Sequence, residues 1–326
     1  MSLLIYAESY PETSGGKFKK VAFELASYAK KVAETLGTTV TAVTVNANDV
    51  SELSKYGVDK VLKVSSDKLT NFNAKAYADI IKQAAQKESS KVILLSSTTD
   101  SLYMAPIVAV GLDAGFASNV VGLPVNTSPF QVKRTAFSNK AFTVTEIESD
   151  IKVLGLAKNS YGIVESASSL TEENFSPSLN DADFNIKVES VEKGSGKVSI
   201  ADADVVVSGG RGLKGPENWG MIEDLATVLG AATACSKPVS DLDWRPHSEH
   251  VGQTGKPVAA NLYIAIGISG AIQHIAGINS SKVKVVINTD PEAPFFKVAD
   301  YGIVGDAFDI VPRLTEKLKE FKANNS

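Results

Sequence analysis

The amino-acid sequence predicts an α/β protein built from two domains. Three observations carry the prediction. Short β-branched and apolar runs alternate with amphipathic helical stretches from Leu3 to Ser96, a polar stretch without aromatic residues runs from Ser190 to Ala203, and a second strand–helix series follows it. Alternation at this spacing belongs to β-α units around parallel strands. A chain of 326 residues, 44% hydrophobic and 21% charged, is long enough for two cores. The expected domains are residues 1–195 and 203–326, with the Ser190 to Ala203 stretch as the hinge between them.

Leu3 to Ala7, Thr39 to Val45, Lys60 to Val64 and Lys91 to Ser96 read as strands buried on both faces. Between the first two, Phe18, Val21, Leu25, Ala29, Val32 and Leu36 recur every three or four positions, lysines take the opposite side, and Gly37 follows. That pattern predicts a surface helix packed on the sheet and stopped by the glycine. From Arg134 to Val164 the runs shorten and alternate in polarity. Ala141 to Glu146 and Ile151 to Ala157 therefore read as antiparallel strands, which makes the first sheet mixed.

In the second series, Asp204 to Val207 is a strand. Glu217 to Leu229 is a helix with Pro216 in front and Gly230 behind. Leu262 to Ile266 is a strand, a helix starts at Ser269, and Val283 to Ile287 is a strand. The last helix, Ile310 to Phe321, puts Leu314, Leu318 and Phe321 on one face.

Composition narrows the function. The 33 Lys and Arg against 37 Asp and Glu give a formal charge of −4 and are interspersed, so the basic stripe of a nucleic-acid binder is missing. The single cysteine, Cys235, supports neither an internal disulfide nor a cysteine-rich zinc site. The apolar windows Met104 to Val125 and Leu262 to Ile278 are interrupted by Asp113 and glycines in the first and by Gln273 and His274 in the second, so neither reads as a membrane span. Met1 runs directly into a strand-like segment without a signal-type core. This predicts a cytoplasmic protein, or a mitochondrial-matrix one for a mature eukaryotic chain.

Chemistry-bearing residues concentrate in the second domain. Ser208-Gly209-Gly210-Arg211-Gly212 follows a buried strand; it fits a phosphate-approaching loop and a plain strand-to-helix turn equally. Val251-Gly252-Gln253-Thr254-Gly255-Lys256 holds a Gln-Thr pair that a simple turn does not require, which favours binding. Leu262 to His274 reads as strand, glycine turn and helix start, with the N–H groups of Ser269, Gly270 and Ala271 directed at an anion. An isolated His in an apolar helix, such as His274, is more often structural than catalytic. Asn288 and Asp306 follow strands and fit either a ligand edge or turn formation.

Catalytic alternatives are weaker. Gly267-Ile268-Ser269-Gly270 lacks the G-x-S-x-G elbow. His247 and His250 lack a third zinc ligand, and Cys235, whose thiol pKa nearby Lys237 would lower, has no catalytic partner.

Taken in order, V-x-G-G-R-G, V-G-Q-T-G-K, L-Y-I-A-x-G-I-S-G-A-I-Q-H, I-N-x-D-P-E-A-P and A-D-Y-G-I-V resemble the alpha subunits of electron transfer flavoproteins, most closely from Val205 onward. The first half resembles the family more loosely, through Leu3 to Glu8 and its β-α series. The resemblance implies a C-terminal parallel-sheet, Rossmann-like domain holding FAD and an N-terminal domain that contacts partners. It implies a heterodimer with a beta subunit, which carries AMP or, in bifurcating forms, a second flavin. It also implies electron flow from acyl-CoA and related dehydrogenases to a membrane quinone oxidoreductase.

On this chain the resemblance assigns FAD contacts to Arg211, to Ser236 and Lys237, and to Val251, Gly252, Gln253 and Thr254, the last near N5. Ser269, Gly270, Ala271, Ile272, Gln273 and His274 would bind pyrophosphate, ribityl chain and ring, with His274 on the N1/O2 side. Asn288, Asp306 and Ala307 would address the adenosine end. Donors or cations at the N1/O2 edge favour the charge gained on one-electron reduction. The family's usual arginine after the serine is replaced by Lys237, which keeps charge but loses the planar fork. The composition of the Asp243 to His250 segment also departs from the family, so Trp244 and its histidines receive no flavin role. The competing reading is a nucleotide-dependent dehydrogenase or ligase on similar sheets, opposed by the missing acid-base residues.

Overall fold

The computed structural model describes residues 2–11, 16–137, 139–186, 188–190, 199–200 and 203–325. Of the Ser190 to Ala203 stretch, residues 191–198, 201 and 202 lie outside the described residues. The chain divides into two units, one comprising Met1–Ala136 and Ala141–Val191, the other Phe137–Lys140 and Glu192–Ser326.

The first unit runs β1 (Ser2–Tyr6), α1 (Lys20–Leu36), β2 (Thr39–Val45), β3 (Lys60–Val64), α2 (Ala74–Glu88), β4 (Val92–Ser96) and α3 (Thr99–Gly111). It continues through β5 (Gly115–Val120), β6 (Asn126–Thr127), β7 (Phe130–Ala136), β8 (Ala141–Glu146), β9 (Lys152–Leu156) and β10 (Thr171–Asn174). One sheet joins them in the order β10-β3-β2-β1-β4-β9-β5-β7-β6, with β8 on β7. It is mixed: β6, β7 and β8 pair antiparallel, as does β5 with β7, whereas the pairs from β10 to β5 are parallel.

Side chains on β1 alternate between two cores, as the period-2 geometry of a strand requires. Leu3 and Ile5 pack with Leu25, Tyr28 and Val32 of α1; Leu4 and Tyr6 pack with Ile80 and Ile81 of α2 and Met104 of α3. The apolar stripe of α1 thus meets one face of the sheet, and Gly37 ends the helix at φ 64° as its position after Leu36 predicts. The expected antiparallel strand at Ile151 to Ala157 is corrected: β9 lies between β4 and β5 and is parallel to both. Its continuous Val-Leu-Gly-Leu run is buried throughout, as suits a strand in the interior of a sheet covered on both faces.

The chain leaves β1 for β2 on one side and returns to β4 on the other, so a crevice is expected at the carboxyl ends of β1 and β4. Glu8, 2% exposed, stands at this position. Its carboxylate accepts from Thr98 Oγ1 at 2.6 Å, Ser101 Oγ at 2.9 Å and Lys19 Nζ at 3.1 Å. Thr98 is the N-cap of α3, so an internal carboxylate stands at a helix start, where negative charge is favoured.

The second unit contains β11 (Val205–Gly209), α4 (Gly220–Leu229), β12 (Ala232–Cys235), α5 (Lys237–Asp241), β13 (Leu262–Ile266), α6 (Ile272–Ile278), β14 (Val283–Asn288), β15 (Tyr301–Val304) and α7 (Ala307–Asn324). Its five strands are all parallel, in the order β12-β11-β13-β14-β15. Val206, Tyr263, Ala265 and Val286 face a core with Phe295 and Ile278; Val207, Ile264, Ile266 and Ile287 face one with Trp219, Leu225, Trp244 and Val311.

Helix expectations change in three places. α4 begins at Gly220 rather than Glu217, behind a separate short 3-10 turn at Pro216–Asn218. Leu314 and Leu318 of α7 pack on this core, but Phe321 is 62% exposed, because burial along α7 declines toward its C-terminal end. α6 begins at Ile272 rather than Ser269, since Gly270 sits at φ 85°, outside the helical region.

Candidate cofactor site

β11 and β13 are neighbours, yet the chain goes from β11 to β12 on one side before reaching β13 on the other. In an open parallel sheet this reversal of direction opens a crevice at the carboxyl ends. The loops leaving the two strands touch through their backbones. Gly210 N–H donates to the Ile266 carbonyl at 2.8 Å and Gly212 N–H to the Gly267 carbonyl at 3.0 Å. A Cβ on Gly210 would overlap the Gly267 carbonyl, and one on Gly212 would lie 2.7 Å from Gly267 Cα. Glycine is required here by close approach, whichever ligand the loop meets.

Against these loops lies a cavity of about 660 Å³, within the range of small-molecule and cofactor pockets. The structure brings most of the sequence candidates into its wall. Arg211 comes from the loop after β11, Ser236 and Lys237 from the junction of β12 and α5, and Asn288 from the end of β14. Val251, Gly252, Gln253 and Thr254 form one stretch of wall; Ser269, Ala271, Gln273 and His274 form another. These two stretches are stitched together: Gln253 N–H donates to the Gln273 carbonyl at 2.8 Å, and a Cβ on Gly277 would meet the Gly252 backbone at 2.6 Å.

Gly270, Ile272, Asp306 and Ala307 are outside the wall. Gly270 presses its backbone on Phe295, Ile272 is 59% exposed, and Ala307, the first residue of α7, is buried in the core. Asp306 caps α7, its carboxylate accepting from Phe308 N–H at 3.0 Å. Ser269, Gly270 and Ala271 lie in the loop ahead of α6, with Ala271 as its N-cap residue.

Gly212, Pro238, Asp241, His250, Gly267 and Ile268 line the cavity without having been assigned to the cofactor. Gly212 and Gly267 sit inside the motifs already marked, and Asp241 stands one helical turn from Lys237. His250 lies in the segment set aside for its unusual composition.

The electrostatics of the wall are uneven. His274 is 6% exposed; its Nε2 is 2.9 Å from Tyr263 Oη, while its Nδ1 is buried without a hydrogen-bond partner. Burial lowers its pKa to about 4, His250 acts in the same direction, and the Val251 backbone opposes. His274 is therefore neutral near pH 7. Tyr263 is itself fully buried and stacks on Phe295 with an interplanar angle of 5°.

Lys237 Nζ is committed to both oxygens of Asp241, at 2.7 and 2.9 Å. Arg245 forms a bidentate pair with Glu249 at 2.8 and 2.7 Å and approaches Glu223 at 3.3 Å. The thiol of Cys235 is not activated: burial and then Glu249 push it up to about 12, against Arg245 and against the expectation from Lys237. No group of three or more potential metal ligands occurs among the described residues.

An orphaned nitrogen, hydroxyls and amides on the wall, and glycine loops at a switch point define a protein that holds a nucleotide-type cofactor in an open parallel sheet. Residues 199–279 match the family model described as the electron transfer flavoprotein FAD-binding domain, and residues 9–179 match that of the electron transfer flavoprotein domain. The chain is 35% identical over 324 residues to the electron transfer flavoprotein subunit alpha of Thermoanaerobacterium thermosaccharolyticum, covering 96% of this chain and 97% of that one. It is 36% identical to the subunit alpha of Syntrophomonas wolfei, covering 95% and 98%, and 34% identical to that of Bacillus subtilis, covering 96% and 97%.

The chain belongs to the electron transfer flavoprotein alpha-subunit family, and the cofactor of that family's second domain is FAD. No helix among the described residues is long and apolar enough to cross a membrane.

Proposed function

We infer that this chain is the FAD-holding subunit of a heterodimeric electron carrier, without a substrate of its own, that receives electrons from dehydrogenases such as acyl-CoA dehydrogenases and delivers them to a quinone oxidoreductase. Residues 203–326 hold the cofactor, and residues 1–195 supply partner-contacting surface, including that for a beta subunit. The carrier works in the cytoplasm, or in the mitochondrial matrix of a eukaryote. The observation that carries this reading is the cavity at the β11/β13 switch point with its unpartnered His274 Nδ1.

FAD supplies a ring that accepts and releases electrons one at a time. The protein's part is to hold and polarise. Arg211 offers a planar fork suited to phosphate, and Ser236, Thr254 and Ser269 offer hydroxyls. His274, fixed by Tyr263 and neutral, offers Nδ1 to a polar ring edge at the cost of no buried charge. Gly252 and Gly277 let the Val251–Thr254 wall approach α6 closely enough to narrow the site. Co-expression with a beta subunit tests the reading. The expected product is yellow, with one FAD on this chain by extraction; a colourless heterodimer that takes up no added FAD overturns it.

A further inference from the structure

Two of the three histidines of the chain line the cavity, and the third stands beside one of them. His250 and His274 line it, and the exposed ring of His247 lies 5.8 Å from that of His250. His274 is held by Tyr263 and hidden from solvent, whereas His250 stands beside the exposed ring of His247, whose Nδ1 is 3.0 Å from Ser240 Oγ. The backbone fixes His250 on both sides: Val251 N–H donates to the Cys235 carbonyl at 3.0 Å and Lys256 N–H to the His250 carbonyl at 2.9 Å. At 3% exposure, the His250 ring is part of the wall rather than of a loose loop.

Fixed positive charge is scarce around it. Lys237 and Asp241 on α5 neutralise one another, Arg245 is taken by Glu249 and Glu223, and the Cys235 thiol on β12 is neutral. His274 faces it from α6 as a neutral ring, and the side chain of Lys256 is exposed. Arg211, also on the wall, is exposed and screened by solvent. An electron entering such a cavity brings negative charge that none of these groups balances without cost.

Resting on the FAD reading above, we propose that His250 is the proton-accepting residue of this cavity: when one electron enters the bound ring, one solvent proton binds the His250 imidazole by way of His247, and it leaves again on reoxidation. The step balances as one electron from the donor and one proton from water, with no bond broken in the protein. Burial, the neighbouring His247 and Lys237 hold the His250 pKa below its ordinary 6.5, against Asp241, so the ring is neutral until new negative charge arrives.

The test uses the FAD-loaded heterodimer. Its visible flavin band is recorded first, and hydrogen–deuterium exchange at each histidine C2 is then followed by mass spectrometry across pH, oxidised and dithionite-reduced. The His250 half-protonation point is expected to rise on reduction by about one pH unit or more. Coincident curves in the two states overturn the proposal while leaving the FAD reading intact; a preparation without the flavin band overturns that reading and the proposal with it. Proton counting in weakly buffered solution adds a second measure. His250→Gln is expected to take up fewer protons per electron near neutral pH than the unaltered protein, and equal counts overturn the proposal.

Discussion

Each of the two sheets contains a switch point, and the two differ in what the chain places there. At β1/β4 Glu8 stands at the strand end, its carboxylate answering two hydroxyls and a lysine at the start of α3, beside a smaller cavity of about 390 Å³. At β11/β13 the strand ends open on a cavity of about 660 Å³ with an imidazole nitrogen left unpaired. The same strand topology therefore creates a place for an anion or cofactor without deciding what occupies it. In one unit the chain supplies its own carboxylate; in the other, glycines bring two loops together and leave the space beside them.

Substituting the residues on which this contrast rests sharpens it. The largest effect is expected for Gly210→Ala, whose methyl group collides with the Gly267 backbone rather than with a movable side chain. A loss of upward of about 3 kcal/mol is expected in urea denaturation, together with loss of bound flavin. If Gly210→Ala keeps both, the two loops are not held by close backbone contact.

Next comes the response of His274 to acid. Its folded pKa, about 4, lies below the ordinary 6.5, so between those values the unfolded chain binds a proton that the folded chain refuses. Stability from this group is fully present above pH 6.5 and falls as pH drops toward 4. His274→Asn is expected to remove on the order of 3 kcal/mol of that fall, read as the difference between urea midpoints at pH 7.5 and pH 4.5 in the two proteins. Parallel pH profiles would mean that burial of this imidazole is not what acid attacks.

The smallest effect is that of Glu8→Ala, which leaves the Thr98 and Ser101 hydroxyls without their acceptor and Lys19 without this carboxylate. Lys19 is partly exposed, so the loss is about 2 kcal/mol rather than that of a deeply buried pair. Thermal melting of the variant checks it; an unchanged melting temperature would show that Glu8 stands at the strand end without stabilising it.

Much of this was legible in the residues. Strands such as Thr39–Val45 and Leu262–Ile266 announce themselves as β-branched or apolar runs, and Gly37 and Gly230 stand where left-handed helix ends require them. The motifs that line the cavity are local in sequence, so their chemistry could be read before their arrangement was seen. What could not be read depends on distant neighbours. β9 is parallel because it inserts between β4 and β5, and an apolar run carries no mark of direction. The non-helical turn before α6 follows from Gly270 lying against Phe295, 25 residues away in the chain (295 − 270). His250 joins the wall through its backbone bridge to Cys235, which no local pattern reveals.

Both tryptophans of the chain, Trp219 and Trp244, belong to one core of the second unit, and Trp219 also stacks near the Arg245 guanidinium at 5.3 Å. Intrinsic indole emission consequently reports on that unit alone. A single denaturation series, excited selectively for indole and followed in parallel by circular dichroism, can therefore time the melting of the two units without labels.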